Sequence, residues 1–327
     1  MSDAALLEVR NLHVRFHGRR GAVARAVDGV DLDVRAGEVL ALVGESGCGK
    51  TTLARTIVGL ERPVDGEVRY DGSVLRHDAR SLKAHRRRVQ MVFQDPMGAL
   101  NPRQTVYEIV AEGLRVQGVR DREEDRVARA LAAAGLRPPE RFFHLYPYEL
   151  SGGQRQRVVI AGAMVLEPSL LVADEPVSSL DASVRGEILA LMLSLVRDTG
   201  VAILVVTHDL GLAWNIASRV AVMYLGRIVE QGPTEDLLAS PRHPYTRALL
   251  SVVPEIEHME QQILAGEAPD PTRIPAGCRF HPRCPVVASG EAARRGIEDR
   301  CRAEDLALTP VGGDERLAVA CHAAATE

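Results

Sequence analysis

A chain of 327 residues with a formal net charge of −4 is long enough for about two domains and too acidic for a dedicated nucleic-acid binder. Its 46% hydrophobic and 26% charged residues are those of an ordinary soluble globular protein, which excludes the disordered and membrane-embedded classes. No apolar run reaches the roughly eighteen residues a bilayer-spanning helix needs, and the opening MSDAALLEVRNLHVRF lacks the charged-then-apolar order of a signal peptide, so the expected compartment is the cytoplasm.

Residues 6–16 and 26–34 alternate apolar and polar side chains and read as half-buried strands, with Gly18-Arg19-Arg20-Gly21 as the turn between them. Phe16, at the end of the first strand, is either a ring for a nucleotide base to stack on or an ordinary edge-of-core residue. Residues 38–43 (EVLALV) form a short buried strand, and residues 52–60 carry apolar side chains at helical spacing. Between them, Gly44-Glu45-Ser46-Gly47-Cys48-Gly49-Lys50-Thr51 fits G-x-x-x-x-G-K-[ST], in the strand–turn–helix context that a P-loop requires. The glycines let backbone fold closely round a phosphate, and the loop N–H groups and the helix start through Thr52 supply partial positive charge. Lys50 is expected at the β- and γ-phosphates and the Thr51 hydroxyl on Mg²⁺.

Residues 62–70 carry a proline, an Asp-Gly turn and a strand. The basic run from His85 to Arg88 reads as a solvated face. Residues 89–93 (VQMVF) are a buried strand with Gln94 at its carboxyl end, where ligands meet α/β sheets. Residues 105–135 change to a purely helical pattern, an expected helical subdomain. Then Leu150-Ser151-Gly152-Gly153-Gln154 opens a strong helix, with Ser151 as N-cap and the glycines exposing N–H groups, either a second phosphate site or a plain cap. Residues 169–173 are a buried strand ending in Asp174-Glu175, the Walker B form: one carboxylate for Mg²⁺, the next to polarise a water. Ser178-Ser179-Leu180-Asp181 turns into a helix over 182–197, and strand 201–206 ends in Thr207-His208-Asp209. Residues 220–225 and 227–231 read as a strand pair around Gly226.

The P-loop, Gln94, LSGGQ, LLVADEP, SSLD and THD, in this order, resemble the nucleotide-binding subunit of an ATP-binding cassette transporter over residues 5–235. The resemblance implies an α/β P-loop NTPase (RecA-like) core with an antiparallel β subdomain and a helical subdomain at about 100–165. It places Phe16 at adenine, Gln94 in the loop that senses Mg²⁺ and water, and Ser151 to Gln154 on the γ-phosphate of ATP held by the opposite subunit. Asp174 supports Mg²⁺, Glu175 is the catalytic base, Asp181 lies in the dimer-communicating loop, and His208 is the γ-phosphate switch. Residues 93–102 (FQDPMGALNP), 240–254 and the tail GCRFHPRCP further resemble the dipeptide, oligopeptide or nickel importer branch, giving a cassette over 1–235 and a small C-terminal domain over 236–327. The implied partners are a second, different ATPase subunit, two transmembrane permease subunits and an extracytoplasmic solute-binding protein, with no nucleic acid, at the cytoplasmic face of the membrane. Two other readings stay open: a soluble cassette ATPase of DNA repair or translation, and a P-loop kinase or GTPase, against which LSGGQ, Gln94 and His208 argue.

Four of the five cysteines, Cys278, Cys284, Cys301 and Cys321, lie in the tail. In a reducing compartment such a cluster points to a metal centre before disulfides. Four thiolates suit a [4Fe–4S] cluster or Zn²⁺. The spacings of 5, 16 and 19 residues lack a close C-x2-C pair and favour iron–sulfur, which certain relatives of the importer branch are thought to carry. The alternative is four reduced thiols packed as small hydrophobes. The stretch from 287 to 300 is longer than in many relatives and reads as a short helical insertion.

Overall fold

Alternating segments become strands with one wet face, and continuous apolar runs become strands buried on both faces. The computed structural model describes residues 5–18, 21–178, 180–253, 262, 264, 266, 269–311 and 314–324. The alternating segments are β1 (Ala5–His17) and β2 (Val23–Arg35). Arg19 and Arg20 of the expected turn lie outside the described residues. β3 (Val39–Val43) is buried at every position and runs into α1 (Lys50–Ile57). β4 (Asp65–Tyr70) and β5 (Ser73–Val74) complete an antiparallel sheet of order β2-β1-β4-β5. α2 (Ala79–Arg88) then leads to β6 (Val89–Val92).

A helical block follows, with α3 (Pro96–Ala99), α4 (Val106–Gln117), α5 (Glu123–Ala133) and α6 (Gly152–Met164). Reciprocal capping boxes start both α4 (Thr105 with Glu108) and α6 (Ser151 with Gln154), satisfying N–H groups that a helix start leaves over. The core resumes with β7 (Leu170–Asp174), α7 (Ala182–Thr199), β8 (Ala202–Thr207), α8 (Leu210–Ile216), β9 (Arg219–Tyr224) and β10 (Arg227–Pro233). The tail adds α9 (Thr234–Ala239), α10 (Pro244–Leu250), α11 (Pro285–Ala288), α12 (Glu291–Arg294), α13 (Glu298–Ala303), β11 (Thr309–Val311) and β12 (Asp314–Val319).

The main sheet has the order β11-β12-β10-β9-β3-β8-β7-β6, and its β9-β3-β8-β7-β6 portion is parallel. Strand alternation splits its side chains between two cores. Val39, Ala41 and Val43 of β3 face the helical block, while Leu40 and Leu42 face Leu7, Val9 and Leu12 of the antiparallel sheet. The P-loop NTPase core, the antiparallel β subdomain and the helical subdomain are thus all present. The expected insertion is helical but broken: Gly290 and Gly296 take φ of +71° and +66° between α11, α12 and α13. The basic run at residue 85 differs from expectation. His85 is buried with Nε2 2.8 Å from the Ile57 carbonyl, and Arg86 donates to the Gly59 carbonyl at 2.6 Å, so both close the end of α1 instead of facing solvent. Burial lowers the pKa of His85.

The tail is fastened to the core by charge as well as by sheet pairing. Glu230 of β10, fully buried, accepts the N–H groups of Arg242 (2.7 Å) and His243 (3.0 Å) and so fixes the start of α10. Buried Arg279 donates to the Leu225 carbonyl at 2.6 Å and pairs with buried Asp28 of β2. Burial alone would raise the Asp28 carboxyl, but the Arg279 guanidinium and His13 outweigh it and hold the pKa below the ordinary range. This stabilisation is therefore present above the unfolded carboxyl pKa and is lost as pH falls through the folded one. Replacing Arg279 by Met leaves the buried Asp28 carboxylate with only His13 at 3.0 Å and the more exposed Arg25 at 3.7 Å, so Arg279→Met is expected to cost about 3 kcal/mol, the low end for a broken buried pair. Denaturant unfolding at neutral pH measures this, and a wild-type midpoint would show the pair to be dispensable.

Candidate active site

The turn from β3 into α1 is set by close backbone approach. A Cβ on Gly44 would lie 2.1 Å from the Met223 carbonyl oxygen, and one on Gly49, with φ of +111°, would lie 2.0 Å from that of Ala26. Only glycine fits either place. α1 begins at Gly49 with no side-chain cap and no acid in its first turn, which leaves its positive end open to an anion. Ser46 and Gly47 are exposed at the tip of the loop, whereas Cys48 is buried beneath it, and burial raises its thiol pKa. Lys50 is 5% exposed, and its Nζ donates to the carbonyls of Gly44 at 2.6 Å and Glu45 at 2.9 Å.

The parallel strands then deliver the remaining groups side by side. The Thr51 hydroxyl donates to Asp174 Oδ1 at 3.2 Å, and burial holds the Asp174 pKa above the usual carboxylate range. Glu175 takes a left-handed φ of +46° immediately after β7, with its N–H held by the Val206 carbonyl at 2.8 Å. That turn, costly for a side chain with a Cβ, aims the carboxylate between two strand-end groups. Gln94 Nε2 donates to Glu175 Oε2 at 3.1 Å, and His208 Nδ1 lies 2.8 Å from Oε1. Thr51, Asp174 and the Gln94 amide are the residues available to a divalent cation, and Glu175 with His208 is a carboxylate–imidazole pair fit to orient and polarise water.

Other expected site residues make no hydrogen bond to this cluster among the described residues. Phe16, 42% exposed, sits opposite Ala24 of β2, two residues from Ala26 against the P-loop. Ser151 to Gln154 cap α6, and no hydrogen bond among the described residues joins them to the P-loop. A Cβ on Gly153 would meet Val184 of α7 at 2.7 Å, so this loop packs on the segment after Asp181 instead. Asp181 precedes α7 without capping it by its side chain, and Ser179 lies outside the described residues. Thr52 follows in the first turn of α1.

Two residues of the importer-type stretches, assigned no site role from sequence, reach the P-loop from the tail. The Tyr245 hydroxyl accepts the Glu45 N–H at 2.8 Å, and Arg283 grips the Glu45 carboxylate at 2.7 and 3.1 Å.

The four tail cysteines do converge, lining one small cavity with Phe280, Val287 and Ile297. Their arrangement differs from the expected metal centre: among the described residues no three His, Cys, Asp or Glu side chains are grouped to hold a metal ion. Burial, reinforced by the neighbouring thiols, pushes Cys278 up to about 12 and Cys301 to about 11, which favours neutral thiols.

An uncapped helix behind a glycine cradle, a buried lysine, a Thr–Asp pair and a carboxylate between amide and imidazole define a P-loop nucleoside-triphosphate hydrolase. The family pattern described as ABC transporter matches residues 27–178, and that of the oligopeptide/dipeptide transporter C-terminal region matches residues 229–290. The chain is 42% identical over 309 residues to the oligopeptide transport ATP-binding protein OppF of Salmonella typhimurium, covering 89% of this chain and 92% of that one. It is 41% identical over 290 residues to the dipeptide transport ATP-binding protein DppF of Escherichia coli, covering 85% and 86%. A solved dimeric ATP-binding cassette in a post-hydrolysis state with ADP and Pi superposes with a TM-score of 0.62 at 31% identity, over 70% of this chain and 98% of that one. The chain belongs to the ATP-binding cassette transporter family. As a member it is an ATPase that works on ATP with Mg²⁺.

Glu175→Gln keeps the shape of the side chain and removes its basicity. Steady-state ATP hydrolysis is expected to fall by at least about a hundredfold with MgATP affinity preserved, as measured by phosphate release and by equilibrium titration. Near-normal turnover would remove Glu175 from the catalytic role.

Proposed function

We propose that this chain is the ATP-hydrolysing subunit of an importer for peptides or similar small solutes, seated at the cytoplasmic face of the membrane. The observation that carries this reading is the joining of a complete P-loop site to a C-terminal region of the oligopeptide/dipeptide transporter type in one chain. No helix among the described residues is long and apolar enough to cross a membrane, so the solute path is assigned to two separate permease subunits, fed by an extracytoplasmic solute-binding protein. We place a cassette over 1–235 and a C-terminal domain over 236–327.

The geometry supports the following roles. Gly44 to Thr52 hold the phosphates, Lys50 neutralises their charge, and Phe16 offers a face to the base. Thr51, Asp174 and Gln94 hold Mg²⁺, which when bound shields the phosphate oxygens. Glu175 orients the attacking water, and His208 stands beside the γ-phosphate. Phosphoryl transfer needs positioning and charge stabilisation above all. Ser151 to Gln154 make no hydrogen bond to this chain's own P-loop among the described residues, which supports their service to ATP on a second ATPase subunit, a different one, with Asp181 at the same junction. A soluble cassette ATPase of repair or translation is disfavoured by the transporter-type C-terminal region. Affinity purification from gently solubilised membranes tests the reading: permease chains and a second cassette chain are expected to copurify. Recovery with ribosomes or DNA instead would overturn it.

For the tail we propose that Cys278, Cys284, Cys301 and Cys321 together hold a metal centre, a [4Fe–4S] cluster in preference to Zn²⁺. Support comes from the four thiols gathered on one cavity, which His243, His281 and His322 also line. Against it stand the raised thiol pKa values and the ungrouped geometry, so loading has to draw the four sulfurs together and release their protons. Anaerobic purification is expected to give a coloured protein containing iron. A colourless chain without iron or zinc, with all four tail thiols titratable, would end this proposal.

A further inference from the structure

The peptide between Gly44 and Glu45 is held from both sides. Its N–H donates to the Tyr245 hydroxyl at 2.8 Å, and its carbonyl accepts the Lys50 ammonium at 2.6 Å. In a trans peptide these two groups point in opposite directions. Fixing the N–H outward therefore fixes the carbonyl, and with it the ammonium, on the other side. The same residue is gripped through its side chain, where Arg283 forms a forked pair with the Glu45 carboxylate at 2.7 and 3.1 Å.

Neither clamp is loose. Tyr245 is fully buried, its ring packed against Tyr224 with centroids 4.7 Å apart and against Phe280 at 5.4 Å. Burial raises its pKa, so the hydroxyl stays neutral. The Arg283 side chain is 9% exposed. Both residues belong to the tail, 200 and 238 positions from the residue they hold. A mere staple between tail and core has no need to grip the peptide that carries the lysine's acceptor, because buried Arg279 with Asp28 already supplies one.

We infer that Tyr245 and Arg283 are positioning residues for nucleotide binding: acting through Glu45, they set the Gly44–Glu45 peptide and so the Lys50 ammonium. This rests on the reading of the P-loop as the ATP cradle. The C-terminal region is then part of the nucleotide site as well as an attachment to it.

The test is an equilibrium titration of the purified full-length chain with MgATP, beside thermal unfolding. Tyr245→Phe removes one oxygen and keeps the ring packing. It is expected to weaken MgATP affinity about fivefold, the worth of one hydrogen bond. Arg283→Gln is expected to weaken it about tenfold, as for a charge-assisted pair, with partial recovery in Arg283→Lys. Glu45→Gln combined with Arg283→Gln is expected to be no weaker than Arg283→Gln alone, since both cut one link. A staple would lower the unfolding temperature and leave affinity unchanged, which overturns the inference, as would a strictly additive double variant. Lys50→Ala separates the two levels. If it binds MgATP as the wild type does, the cradle reading fails. If it loses binding while folded Tyr245→Phe and Arg283→Gln keep wild-type affinity, the cradle stands and the inference falls.

Discussion

A loop of backbone can hold a polyanion only if the protein leaves its N–H groups free while fixing everything around them. Here neighbouring main chain adds to the hold that Tyr245 and Arg283 place on Glu45. Gly44 lies against the carbonyl of Met223 in β9, and Gly49 against that of Ala26 in β2. Gly226 donates to the Cys48 carbonyl at 2.8 Å and accepts from Asp28 at 2.9 Å. The loop is therefore shaped only once the antiparallel sheet and the parallel sheet have met. Arg219 secures that meeting by joining β9 to Asp33 at 2.9 Å and Glu38 at 3.1 Å. Gly49 sits where the antiparallel sheet closes on the loop and Gly44 beside β9 of the loop's own sheet, so a methyl at either would displace neighbouring main chain before it blocked a phosphate.

Sheet order does the rest of the assembly. β3, β8, β7 and β6 are adjacent and parallel, so their carboxyl ends form one row. The P-loop, His208, Asp174 with Glu175, and Gln94 each follow one of those strands. No long reach is needed: strand register brings these groups within 2.8 to 3.2 Å of one another once the turn at Glu175 aims its carboxylate. Along this row the strained residue is Glu175, at φ of +46°. An extended residue there would continue the strand direction and carry the carboxylate past both Gln94 and His208.

What was legible in the sequence was local. Buried parallel strands announce themselves as apolar runs, and turns that need glycine or a cap carry those residues, so the core and every ATPase motif were readable from residues 6 to 231. Partners across the chain were not. Nothing in Arg283, within a basic and proline-rich stretch, indicates Glu45, because side-chain pairing depends on which surfaces the fold opposes. His85 misled for the same reason: a basic run looks solvated until one ring finds the carbonyl at the end of α1. The strands β11 and β12 carry little signal because segments of three and six residues are too short to show a period. Four cysteines in one tail do indicate proximity, and they share a cavity, but composition does not set the sulfur–sulfur distances a metal requires.

The placement of LSGGQ bears on how hydrolysis and association are linked. Ser151 spends its hydroxyl on the Gln154 N–H at 3.2 Å, so it caps its own helix, and the exposed Gly152 lies beside Leu180. Gly153 is packed against Val184 in the first turn of α7. The stretch from Glu175 to Val184 therefore joins the proposed base at one end to the support of the signature loop at the other, through Asp181. On the reading proposed above, a second cassette that binds ATP against Ser151 to Gln154 presses on the same segment that aims Glu175. A change at the shared face then reaches the carboxylate within about ten residues of chain, the shortest route a covalent link can offer.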